Sequence, residues 1–151
     1  MSYTAADGRQ QILDELARAI EQTGIALVAL GEAYERMDEQ AGDRLEQALF
    51  RPVQSAYGRG QRTHTRFAKQ YGLPERAFPS PNPRLPTDPR HAIEHAAKAL
   101  HIADETLATL QDSMLPVEVG DPELRAGLTE VRDLIAPLPA RSRLLVRTLG
   151  R

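Results

Sequence analysis

The chain contains no cysteine and no tryptophan, and only two of its nineteen bases, Lys69 and Lys98, are lysines. Without cysteine it has no disulfide, no thiolate metal site and no thiol nucleophile. No run of about 18 apolar residues occurs, so no segment reads as a bilayer-spanning helix. The opening Met1-Ser2-Tyr3-Thr4 also lacks the basic start and apolar stretch of a signal peptide. Cytoplasm is therefore the expected location, with no membrane partner. Aromatics make up only 5%, which leaves the core to aliphatic side chains and alanine. No window alternates polar and apolar residues as a half-buried strand would. A Gly-rich phosphate loop, a G-x-S-x-G elbow and any Glu-x-x-His pair are absent too.

What remains is ordinary globular material: 151 residues, 41% apolar and 26% charged, enough for one domain over 1–151 with a core of its own. Its apolar residues recur at heptad spacing in four segments. In the first, Leu13, Ile20, Leu27 and Tyr34 form one row, and Leu16, Thr23, Leu30 and Met37 the other. Thr4-Ala5-Ala6-Asp7 resembles a capping box at its start. Gly42 predicts a break, with Asp43-Arg44-Leu45-Glu46 capping the second segment. There the rows are Leu49, Ala56, Thr63 and Val53, Gly60, Phe67, ending at Tyr71 before Gly72-Leu73-Pro74. Pro52 predicts a kink or a later start.

The third and fourth segments open alike, with Asp88-Pro89 and Asp121-Pro122, an Asp cap followed by proline in the first turn. Their rows are Ile93, Leu100, Leu107, Met114 with Ala96, Ala103, Leu110, then Leu124, Val131, Leu138, Leu145 with Leu128, Ile135, Ser142, Leu149. Pro137 and Pro139 predict a kink or break in the last. Four matched segments argue for an all-α four-helix up-and-down bundle. The Pro-rich stretch 72–88 reaches roughly 50 Å if extended at about 3.1 Å per residue, so an overhand crossover is physically open. The short-path connection leads because the other two joints are short.

Charge is sorted into blocks: residues 1–46 carry net −6, residues 47–90 net +6, residues 91–133 net −6 and residues 134–151 net +4, for a total of −2. In an up-and-down path the basic tracts gather at one end and the acidic tracts at the other. Such polarity speaks to partners rather than fold. A non-catalytic interaction or adaptor module follows as the leading function, with an acidic protein partner or self-association. Its candidate surface is Arg59, Arg62 and Arg66 with Tyr57 and His64. A second reading places a small anionic ligand in a mid-bundle pocket lined by Thr23, Gly24, Gly60, Thr63 and Ser142. A third, nucleic-acid binding on the second helix, is disfavoured by the near-neutral total.

His91-Ala92-Ile93-Glu94-His95 matches H-x-x-E-H, but the heptad turns its polar members to solvent, so neither metal nor cofactor is expected. Leu134, Leu144 and Val146 fall outside the core rows and suggest an apolar seam for a homodimer.

Overall fold

The computed structural model describes residues 4–149; none of these is strand, and 79% of them are helical. Helix α1, Ala5–Glu35, opens on the capping box. Asp7 N–H donates to Thr4 Oγ1 at 3.0 Å, and Thr4 N–H donates to the Asp7 carboxylate at 3.1 Å. The Thr4 backbone N–H first, and the Thr4 side chain second, hold the Asp7 carboxyl below its ordinary pKa. Helix α2, Glu39–Leu45, starts earlier than Gly42 suggested because Asp38 accepts from Ala41 N–H at 2.8 Å. Gly42 is not a break. It lies buried against Tyr34, whose ring occupies the space a side chain would need.

Residues Glu46–Phe50 form a π-helical turn that joins α2 directly to α3, Arg51–Gln70. The wide turn sits immediately before Pro52, whose ring would collide with the Ala48 carbonyl in a regular α-helix. The chain then passes through the Pro-rich strap 71–88 to α4, Pro89–Asp112. A short α5, Leu115–Glu118, leads to α6, Pro122–Ile135, and α7, Leu138–Thr148. Asp88 and Asp121 cap α4 and α6, Asp88 accepting from Arg90 N–H at 3.0 Å and Asp121 from Leu124 N–H at 2.8 Å. Ala136-Pro137 separates α6 from α7, while Ile135 and Leu138 both face the core.

The up-and-down path is replaced by an overhand one. Arg9, near the start of α1, donates to Val119 O beyond the end of α4 at 2.9 Å. At the other end, Arg36 and Met37 share a cleft with Asp88, Pro89 and Arg90. α4 is thus antiparallel to α1 and parallel to α3. The last segment runs back with α1: Arg66 pairs with Asp121, and Arg141 reaches Ala48. The order is up, down, down, up, with the strap climbing the bundle over α1 and α3, where Arg76 pairs with Glu21 and Phe78 meets His64.

The most extensive interface is α1 against α4, and it is built from small residues. Ala26, Ala29 and Ala33 on α1 and Ala92, Ala96, Ala99 and Ala103 on α4 are all buried, which lets the two backbones approach closely. Here the heptad of α1 fails: Leu27 is only partly buried, and Tyr34 is 43% exposed. Ala26 and Ala33, each one position earlier, are buried in their place, because α4 packs on the alanine side of α1. The rows of α3, α4, α6 and α7 are buried apart from Met114 and the half-buried Leu149. Met114 leaves because α4 stops at Asp112 and the chain turns left-handed there, with φ 68°.

Candidate functional site

The second-helix surface expected from sequence lies on α3, and the fold neutralises much of it. Arg59 pairs with Glu130 on α6, and its Nη1 donates to Thr63 Oγ1 at 3.0 Å. Arg66 pairs with Asp121 at 2.7 Å and Glu123 at 3.0 Å. Tyr71 O–H donates to the same Asp121 at 3.1 Å, and the Arg9 guanidinium lies over the Tyr71 ring, 4.1 Å from its centre. Burial pushes the Asp121 carboxyl up, but the Leu124 N–H together with Arg66 and Tyr71 more than offsets it, and the group sits below the usual carboxylate range. Burial, then Asp121, raises Tyr71. Arg62 remains exposed. The polar-ends arrangement is overturned, since reversing α4 also reverses α6 and α7. Basic α3 then meets the acidic start of α6, and the arginines of α7 travel to the end that holds Glu32, Glu35, Asp38, Glu39, Asp43 and Glu46. Arg151 lies outside the described residues.

His64 does not belong to an exposed surface. It is 2% exposed, and its Nδ1 has no hydrogen-bond partner. The strap covers it: Phe78 meets the imidazole edge-on, 5.2 Å between centres and 84° between planes. Burial and then Arg76 lower its pKa, against an upward pull from the Leu13 backbone and Asp14. Tyr57, half-buried, packs its ring beside Gly24 and donates to Phe78 O at 3.4 Å. Arg76 of the strap pairs with Glu21 at 2.5 Å.

The mid-bundle pocket is filled. Tyr57 occupies the space beside Gly24, and Ile20 and Val131 that beside Gly60. Its polar lining is turned inward on each helix: Thr23 donates to Ala19 O, Thr63 to Arg59 O and Ser142 to Leu138 O, each at 2.8 Å. A hydroxyl bonded to the carbonyl four residues back presents little to a ligand. Inversion also separates the members, leaving Ser142 in a cleft with Glu94 and Ala97 instead of beside Thr23.

His91 pairs with Asp88 and His101 with Glu105, each at 3.1 Å on the exposed side of α4. Among the described residues no three His, Asp or Glu side chains converge as a metal site would require. No described helix is long and apolar enough to cross a membrane. The seam expected from Leu134, Leu144 and Val146 divides: Leu134 packs half-buried on the core, Val146 faces the cleft with Glu94, and Leu144 stands on the opposite flank of α7.

That flank is where sequence reading stopped short. Leu144 is 61% exposed and borders a shallow trough of 570 Å³ between the α2–π-turn segment and α7. Ala48 and Leu145 form its floor, and Arg44 and Arg141 stand on its opposite walls. Neither arginine has a carboxylate partner among the described residues. Leu144 outside the core rows was the only sequence signal for the trough. Nothing local linked it to Arg44 and Ala48, almost a hundred residues earlier.

No family model, curated protein or solved structure matches this chain.

Proposed function

We propose that the chain is a non-catalytic helical interaction module that captures an acidic protein partner through the exposed arginine face of α7. The observation that carries this reading is how the arginines are used. Arg59 and Arg66 on α3 are spent on Glu130, Asp121 and Glu123. Arg141, Arg143 and Arg147 on α7 have no carboxylate partner among the described residues, and no acid follows Asp133 in the sequence. An exposed leucine set among unpaired arginines costs solubility and contributes nothing to the core, which is what a contact surface looks like. Arginine suits the role because its planar fork holds a carboxylate through two hydrogen bonds.

The test is salt- and charge-dependent capture. Acidic proteins retained by the immobilised chain should elute progressively between about 50 and 500 mM salt, as expected for contacts screened over a Debye length. Charge reversal at Arg143 and Arg147, both away from the core, should reduce capture while leaving the helical signal intact. Capture indifferent to both salt and reversal overturns the reading.

A further inference from the structure

We infer that the trough between α2 and α7 is the seat of an amphipathic acidic helix from the partner, a deepening that rests on the interaction-module reading above. Its shape is a linear hollow between two helices. One wall is presented by Arg44 with Gln47 beside it, the other by Arg141 and Leu144, over the floor of Ala48 and Leu145. On α7 the residues 141, 144, 145 and 148 recur at intervals of three and four, so they lie along one face of the helix. α7 has 11 residues, about 16 Å at 1.5 Å per residue, which accommodates roughly three turns of a docked helix.

The chemistry selects the occupant. The floor is apolar, at half-buried Ala48 and at Leu145, which is 7% exposed, and Leu144 projects beside it at 61%. An apolar ridge on the incoming helix would cover these three. Both walls carry an arginine lacking a carboxylate partner among the described residues, and no acid lines the trough. Arg141 donates from Nη1 to the Ala48 carbonyl at 3.2 Å, so its guanidinium reaches from α7 to the π-turn, and the side chain stays exposed to an incoming carboxylate. Carboxylates on the two flanks of the ridge would meet Arg44 and Arg141. A second copy of this surface would bring arginine against arginine, so charge disfavours isologous self-pairing. A lipid surface is disfavoured by shape, because the apolar floor is recessed between helices instead of projecting.

The experiment uses the full chain with two synthetic probes. One is a helical 18-residue peptide with leucines at three- and four-residue spacing and glutamates on both flanks; the other is the same peptide with lysines in place of glutamates. The glutamate peptide should bind, shift the amide resonances of Ala48, Leu144 and Thr148, and weaken with salt. Leu144→Glu and Arg44→Glu, both at exposed positions, should each weaken it tenfold or more, with the circular dichroism spectrum unchanged. The proposal is overturned if the lysine peptide binds equally, if the shifts map elsewhere, or if neither substitution matters. It also fails if the chain binds anionic phosphatidylserine vesicles and the glutamate peptide does not compete. Retained, salt-sensitive capture of acidic proteins by Leu144→Glu would defeat the trough while leaving the broader interaction reading in place. Loss of all acidic capture by the unaltered chain would defeat both.

Discussion

Arg141 on α7 donates to the Ala48 carbonyl at 3.2 Å, and Ala48 is the residue whose carbonyl a normal α-helical Pro52 amide would have bonded. Proline has no N–H to give and its ring crowds that carbonyl, so the helix widens into the Glu46–Phe50 π-turn and an arginine from the end of the chain fills in. Arg141→Met should cost about 1 kcal/mol, the usual net worth of one hydrogen bond. In a Pro52→Ala background, where an amide is available again, the cost should shrink. Urea unfolding of the four proteins in this double-mutant cycle measures the coupling, and additive effects would disprove the relationship.

His64 predicts how stability responds to acid. Its folded pKa lies below the ordinary 6.5, from burial first and Arg76 second. The folded state therefore binds fewer protons than the unfolded state as pH falls below about 6.5. Stability from the neutral imidazole is fully present above that value and declines as pH drops toward the folded pKa. Arg76 on the strap and Asp14 on α1 are the charges that act on the imidazole, with Glu21 paired to Arg76. Melting temperatures measured from pH 8 to pH 5 should fall, and His64→Gln should flatten that slope. An unchanged slope in the variant would place the acid sensitivity elsewhere.

Two glycines should respond in opposite directions to alanine. Gly31 has open space where a Cβ would stand, so Gly31→Ala should stabilise α1 by about 0.5–1 kcal/mol through helix propensity. Gly127 lets α6 press against Thr63 of α3, and a Cβ there would overlap the Thr63 side chain. Gly127→Ala should cost about 1–3 kcal/mol by overpacking, with Thr63→Ala relieving part of it. Thermal melts of the three variants suffice.

Arg66 stands between Asp121 and Glu123, so charge reversal there is structural as well as electrostatic. Arg66→Glu should lower stability by about 1–2 kcal/mol, within the ordinary range for a point substitution. Adding Glu123→Arg should recover part of the loss. Chemical denaturation that shows no loss for the single variant would contradict the ion-pair geometry.

The overhand path itself is testable, because a chain without cysteine accepts a pair of labels cleanly. Spin labels at Met37 and His91 should lie within about 20 Å, since both sit at the same end of the bundle. An up-and-down path would move His91 to the far end. α4 has 24 residues, and at 1.5 Å each that is about 36 Å of separation.

Local chemistry was legible from residue order alone. Thr4 with Asp7, Asp88 with Pro89 and Asp121 with Pro122 mark helix starts because the orphan N–H groups at those ends need acceptors and have none nearer. The apolar rows of α3, α4, α6 and α7 mark the core faces because a side chain's position on a helix depends only on its spacing. Direction was not legible. A heptad buries the same residues whether the helix runs up or down, and a strap able to reach roughly 50 Å permits either. Tertiary packing decided it, through the alanine faces of α1 and α4 and the pairing of basic α3 with the acidic start of α6. That decision filled the expected mid-bundle pocket, buried His64 under Phe78, and brought Arg44 and Ala48 to Arg141 and Leu144. Sequence spacing could place each of these residues on its own helix, but only the three-dimensional path could set them side by side.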